Sequence, residues 1–102
     1  MTNLVLTRKA GQSVRLMING EAVWLVIYRV NGGACEMAVC RKQGFHCTEE
    51  LKTVRFRDSM QIAEGVSVCV VDLAKGHAKL SFTAPRDVHI LRTELIKEKD
   101  DV

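Results

Sequence analysis

Short runs of apolar residues, separated by turn residues, recur from one end of the chain to the other. Between Ala78 and Thr83 apolar and polar side chains alternate strictly, which indicates a strand with one buried face. Asn19-Gly20 is typical of a turn, and Pro85 ends the strand before it because proline has no N–H for the ladder. The pattern predicts an all-β protein with strands over residues 4–7, 14–18, 23–30, 35–40, 66–71, 78–83 and 88–91.

One of these runs, from Val23 to Val30, is almost continuously apolar. Such a run predicts a strand that is covered on both faces. Trp24 and Tyr28 are four residues apart within it, so they share one face of the strand and are assigned to the core.

The C-terminal tail differs from the rest of the chain. Residues 93–99 are mostly helix formers with a polar excess, and Thr93 is a suitable N-cap. A short C-terminal helix is therefore predicted, followed by a loose acidic end.

An internal repeat relates the two halves of the chain. Segment 23–30 matches the pattern of segment 66–73, and the same offset of 43 residues places Gly33 on Gly76. Two strand–turn–strand units of matching pattern therefore stand in one chain, although hairpin periodicity alone also produces such a match. The repeat indicates one compact domain over 1–102, composed of copy one over 1–51 and copy two over 52–102.

Composition and charge narrow the class of protein. The chain has 102 residues, of which 47% are hydrophobic, and this suffices for one packed domain. Its net charge of +3 allows a nucleic-acid partner only if the basic side chains are clustered. Arg8, Lys9 and Arg15 interrupt the N-terminal apolar residues, so neither a signal peptide nor a membrane span is predicted. A cytoplasmic protein with four reduced cysteines is expected.

Side chains able to bind metals or to catalyse reactions form no known arrangement. The middle of the chain contains Cys35, Cys40, His46 and Cys47. Their spacings differ from the close cysteine pairs of structural zinc sites. The other histidines have no obvious nucleophile partner, and no glycine-rich phosphate loop precedes a helix. We therefore expect no metal, no cofactor and no enzymatic activity.

Two blocks of sequence resemble the carbon storage regulator (Csr/Rsm) family of RNA-binding proteins. The first block, Leu4 to Val14, is similar to an apolar strand of that family that leads into Thr-Arg-Arg and then Gly-Glu. The second block, Ala84 to Leu95, has Ala-Pro, an alternating apolar strand and then Arg-x-Glu, as the end of the family sequence does. Segment 66–73 resembles the central strand of the family, whereas segment 19–65 matches more weakly.

The resemblance implies both a fold and a ligand. Members of the family are homodimers of intertwined five-stranded subunits, and the first strand of one subunit joins the last strand of the other at each of two RNA sites. The implied ligand is RNA with GGA exposed in a hairpin loop, and its binding blocks ribosome access to an mRNA. For a fused chain, the predicted fold is an intertwined two-sheet β-sandwich or barrel of two pseudo-symmetric copies, with the short C-terminal helix.

In such a chain, the first strand of copy one and the last strand of copy two rebuild one RNA site. Arg8 and Arg92 are its expected polar anchors, because a guanidinium fork can bind guanine O6 and N7 or a phosphate. Leu91 departs from the family, which commonly has histidine at this position. The predicted RNA-binding residues are Leu6, Thr7, Arg8, Lys9, Ala84, Pro85, Arg86, Ile90, Leu91 and Arg92.

The second site is predicted to be broken. It would need the last strand of copy one, near 44–48, and the first strand of copy two, near 52–56. Thr48 stands where the first of these should carry an arginine, and Val54 stands where the second should. If the alignment of the two copies shifts by one residue near Val54, Arg55 becomes the equivalent of Arg8.

The predicted function is post-transcriptional regulation, in which binding to an mRNA leader or a small regulatory RNA represses translation or alters mRNA stability. The alternative is a protein-interaction module that has lost RNA binding and modulates a regulator or a two-site family member. Two oligomeric states are open, a monomeric pseudodimer and a swapped homodimer.

Overall fold

The computed structural model describes residues 2–43 and 45–92, and this part of the chain forms nine strands joined by turns. The all-β prediction is confirmed there, with the last predicted strand shifted by one residue. The predicted C-terminal helix falls on residues 93–99, outside the described residues. The strands are β1 Thr2–Lys9, β2 Ser13–Ile18, β3 Glu21–Val30, β4 Ala34–Gln43, β5 His46–Arg55, β6 Ser59–Ala63, β7 Val66–Ala74, β8 His77–Ala84 and β9 His89–Arg92.

These strands form two antiparallel sheets that exchange their outer strands. One sheet has the order β1-β8-β7-β6, and the other has the order β5-β4-β3-β2-β9. The first strand of the chain therefore lies in the sheet of the later strands, and the last described strand lies beside β2 in the sheet of the earlier ones. This is the intertwined two-sheet arrangement that the family resemblance predicts. Among the described residues, no helix has the length and apolar character needed to cross a membrane.

The core lies between the two sheets and follows the alternation of the strands. In β2, Val14, Leu16 and Ile18 are buried, while the residues between them are half-buried on the outer face. Leu16 in one sheet and Phe82 in the other are fully buried. Burying an apolar side chain of this kind contributes roughly 1.5–3 kcal/mol relative to leaving it exposed.

Strand β3 differs from its prediction, because only one of its faces is covered. Val23, Leu25 and Ile27 are buried, but Tyr28 is 52% exposed and Trp24 is only half-buried. The assignment of these two aromatic residues to the core is therefore wrong. A continuous apolar run does not reveal whether a further layer covers the sheet, and among the described residues none covers this face.

The middle of the chain forms one long strand instead of two short ones. The sequence places separate strands near 44–48 and 52–56, whereas β5 runs without interruption from His46 to Arg55 and pairs with β4 along its whole length. The long β4–β5 hairpin therefore includes the residues near 44–48 that were predicted to form the last strand of copy one. The following strand, β6, is absent from the sequence prediction because it is short and weakly apolar.

The strand register brings residues of the two halves to equivalent positions. Arg8 in β1 lies opposite Ala78 in β8, and Val54 in β5 lies opposite Cys35 in β4. Residues 35 and 78 are separated by the 43-residue offset of the repeat. Val54 therefore occupies the position equivalent to that of Arg8, and Arg55 lies one residue further along.

Candidate nucleic-acid interface

The strands β1 and β9 lie at the edges of different sheets. β1 begins opposite Ala84, from which the chain turns directly into β9. At the other end of β1, the guanidinium of Arg8 donates a hydrogen bond to the carbonyl oxygen of Ser13. The next residue, Val14, lies opposite Arg92 in β9. The two strands therefore start together and finish together, which brings both predicted anchors to one end of the candidate interface.

The two predicted anchors differ in their environment. Arg8 is only 4% exposed, and its guanidinium donates to the carbonyl oxygens of Thr7 at 3.0 Å and of Ser13 at 3.3 Å. A buried guanidinium that is engaged in this way fixes the connection between β1 and β2. Arg8 therefore positions the backbone beside Arg92 and does not itself present a free cationic surface.

Arg92 is exposed at the end of β9, on the open edge of the five-stranded sheet. Ile90 is half-buried opposite Leu16, so one face of β9 packs on the core. Leu91 points to the other face and is 37% exposed. Arg92 directly follows Leu91, so their side chains lie on opposite faces and β9 presents an apolar group and a cation on either side of its open edge. Both kinds of group can contact splayed RNA bases.

The remaining predicted RNA-binding residues differ in their exposure to solvent. Leu6 and Ala84 are buried and belong to the core, so they support the interface without forming its surface. Pro85 is half-buried. The exposed members of the set are Thr7, Lys9 and Arg86.

The sequence prediction does not include Arg15, a basic residue that borders the interface. Arg15 lies opposite Leu91 in β9 and opposite Trp24 in β3. Its position between the buried residues Val14 and Leu16 places it on the outer face of the sheet. This alternation was visible in the sequence, but the neighbour β9 was not, since it comes from the far end of the chain.

The opposite side of the molecule, at β5 and β6, lacks the same chemistry. The positions equivalent to Leu6 and Arg8 hold Lys52 and Val54, and Val54 is buried. Lys52 is paired with Glu50 at 3.2 Å, so a carboxylate also lies on this edge. Val54 cannot donate the hydrogen bonds that Arg8 donates, and the Glu50 carboxylate repels a phosphate backbone, although Arg55 adds an exposed cation to the same strand.

Strand β6 also lacks the neighbour that β2 has. β2 pairs with both β3 and β9, whereas in the described part of the chain β6 pairs only with β7. The Arg41 guanidinium donates a hydrogen bond to the carbonyl oxygen of Ile62 in β6. A β-bulge between Gln61 and Ala63 further shortens this edge. A side chain thus satisfies a backbone group at the position where a fifth strand would pair.

The cysteines of the middle segment do not converge on one point. Cys35 points into the core, whereas Cys40 and Cys47 lie on the outer face of the β4–β5 hairpin. Burial raises the pKa of the Cys35 thiol to about 11, so this thiol stays protonated at neutral pH. Burial also raises the pKa of Cys40. In the described residues, no three histidine, cysteine or acidic side chains are grouped as a metal site.

The chain forms two antiparallel sheets that exchange their outer strands, which defines a small strand-exchanged β-protein. One open pair of its edges presents basic and apolar side chains. Comparison of the amino-acid sequence with known protein families shows which strand-exchanged β-proteins this chain is similar to. Residues 53–101, just under half of the chain, match the family described as CsrA, Global regulator protein family. The resemblance predicted from the sequence is thereby confirmed.

Curated relatives agree with the family match. The chain is 41% identical over 44 residues to the translational regulator CsrA of Campylobacter jejuni subsp. jejuni, which covers 43% of this chain and 59% of the relative. The translational regulator CsrA of Clostridium novyi (strain NT) is equally identical over 44 residues, with 61% of its length covered. The chain thus spans about three fifths of the length of the curated relatives it matches. No solved structure matches the chain significantly.

Proposed function

We propose that this chain is a cytoplasmic translational regulator that binds GGA-containing RNA at a single site along β1 and β9. The observation that carries the proposal is the difference between the two sides of the molecule. One side has an exposed Arg92 on a complete pair of edge strands, and the other has Val54 in the place of Arg8. The relatives named translational regulator CsrA support the same class of function.

The exposed residues of the site have distinct roles in this proposal. Arg92 binds a guanine edge or a phosphate, and Leu91 contacts an unstacked base. Lys9 and Arg86 contact phosphates, which adds affinity and salt dependence without sequence preference. Arg8 acts indirectly, because its buried guanidinium holds Ser13 next to the residue that pairs with Arg92.

A single site has a consequence for regulation. A regulator with two sites gains about 10²–10⁴-fold in avidity when it binds two elements of one RNA. A one-site chain does not have that gain. It would bind RNAs with one accessible GGA, or compete with a two-site relative for one element of a longer RNA. Since both exchanged strands come from the same chain, we propose that it acts as a monomer.

The direct test is a titration at fixed salt with two labelled RNA hairpins that differ only in the loop, GGA in one and CCA in the other. The chain is expected to bind the GGA hairpin at least tenfold more tightly, since each wrong base in a nucleic-acid site costs about 1–3 kcal/mol. Equal affinity for both hairpins would contradict the GGA preference, and binding to neither would contradict the proposal and favour the protein-interaction function.

The protein-interaction function has less structural support. A partner strand would need an open sheet edge, and outside the proposed RNA site the described strands offer two, β5 and β6. β5 carries the charged side chains of Glu49, Glu50 and Lys52, which discourage the addition of a strand. β6 is five residues long, contains a bulge, and has a carbonyl group that already accepts from Arg41. Short and bulged edges of this kind resist strand addition.

A further inference from the structure

A cation–aromatic pair lies on the outer face of the five-stranded sheet, directly beside β9. Leu91, Arg15 and Trp24 form a row across three neighbouring strands, β9, β2 and β3. Neighbouring strands are about 4.8 Å apart, so Trp24 lies roughly 10 Å from the β9 edge. This distance is within reach of one or two nucleotides of an RNA that follows β9.

The pair is held in a defined arrangement. The guanidinium carbon of Arg15 is 6.0 Å from the centroid of the Trp24 ring, near the outer limit for a cation–π contact. The Nε atom of Arg15 is buried and has no hydrogen-bond partner among the described residues. Trp24 is half-buried, so part of its indole is open to solvent.

The surroundings of the pair favour an anionic and aromatic ligand. The next row towards the turn contains His89, Met17 and Ala22, which are basic or apolar. In the described part of the sheet, the carboxylate in the row of Trp24 belongs to Glu49 on β5, two strands from Trp24 on the side away from β9. That carboxylate accepts a hydrogen bond from the Tyr28 hydroxyl at 2.9 Å, and this bond raises the pKa of Tyr28. The area between β9 and Trp24 thus combines a cation, an aromatic ring and apolar contacts.

We propose that the Arg15–Trp24 pair is a stacking site for an unpaired nucleobase that flanks the loop bound along β1 and β9. The inference rests on the proposed RNA-binding function and extends it from the edge of the sheet to its outer face. Aromatic and guanidinium planes stack on any base, so the site adds affinity for single-stranded flanks with little sequence preference. The ligand of this site is a nucleobase. Leu91 lies between the proposed RNA site at the β9 edge and the Arg15–Trp24 pair on the outer face, so it connects the two surfaces.

Tryptophan fluorescence tests this directly, because Trp24 is the single tryptophan of the chain. Two RNAs are compared, a minimal GGA hairpin and the same hairpin with four unpaired adenines at each end. The flanked RNA is expected to bind roughly tenfold more tightly and to quench the emission more strongly, as expected for one stacked base. Trp24→Leu is expected to remove this difference in affinity, and Arg15→Gln to reduce it. Tyr28→Leu, the matched control on the same strand face, is expected to preserve it.

The outcomes separate the two proposals. If the wild-type chain binds neither RNA, the proposed function itself fails. If the minimal hairpin binds but the flanks add neither affinity nor quenching, the stacking site is overturned while RNA binding stands. The Arg15→Gln variant keeps Trp24 and its emission, so the inference remains testable if Trp24→Leu folds poorly. Equal quenching by the flanked RNA in Arg15→Gln and wild type would also overturn a role for the pair.

Discussion

Arg92→Ala is expected to weaken binding of a GGA hairpin roughly tenfold to a hundredfold, because one good bidentate arginine contact to a base contributes about 1–3 kcal/mol. The same change is expected to leave the free energy of unfolding nearly unchanged. Arg92 is exposed at the end of a four-residue edge strand, and exposed substitutions typically fall within about 0.5 kcal/mol. Equilibrium binding and urea unfolding of the same variant measure the two effects.

Two further arginine variants separate the role of Arg92 in RNA binding from a general loss of charge and from a loss of stability. Arg55→Ala removes an equal charge from an exposed position on the opposite side and is expected to retain RNA affinity. Arg8→Ala is expected to lower the free energy of unfolding by about 1–3 kcal/mol, since it removes the donor to two carbonyl oxygens from a buried site. If Arg92→Ala binds like wild type, or if Arg55→Ala loses as much affinity, the assigned site is wrong.

The largest effect on stability is expected for Phe82→Ala. Phe82 is the largest fully buried side chain among the described residues, and it lies opposite Leu4 of β1 and Val68 of β7. Truncation of a buried phenylalanine costs about 3–5 kcal/mol, which combines lost apolar transfer with the cavity that remains. For a domain of about 5–15 kcal/mol total stability this loss is severe. It would also loosen β1, and with it the RNA site.

The matched control for this second prediction is Phe45→Ala. Phe45 lies in the connection between β4 and β5 and is fully exposed, so the identical chemical change removes no packing there. Urea unfolding of both variants is expected to show a large decrease in the midpoint for Phe82→Ala and an effect of less than about 0.5 kcal/mol for Phe45→Ala. Similar midpoints for the two variants would contradict the position of the core between the sheets.

The sequence contains enough information for most of the strands and for the loss of an arginine at the position equivalent to Arg8. Alternation in segment 78–83 and the turn at Asn19-Gly20 are local signals, and both are confirmed in the structure. The strand register places Val54 at the position equivalent to Arg8, as the comparison of the first strands of the two copies predicts. These features depend on neighbours in sequence or on a comparison of the two halves, so a single sequence is sufficient to predict them.

Other features depend on contacts between distant segments, and these could not be predicted. Arg8 resembles a solvated strand end in the sequence, but the chain returns over it and buries its guanidinium against Ser13. The apolar run of β3 does not indicate that Trp24 faces outwards, because no local pattern shows how many layers cover a sheet. The fusion of two predicted strands into β5 follows from its pairing with β4, which competes with any separate strand at 44–48.

We propose above all that a single RNA site remains in a fold with two related sides. Isothermal titration calorimetry with a short GGA hairpin measures it directly, because the hairpin is too small to bridge two sites. We predict saturation at one RNA per chain in wild type, with the transition weakened or lost in Arg92→Ala and retained in Arg55→Ala. Saturation at two RNAs per chain would contradict the claim, since it would require a second functional site along β5 and β6.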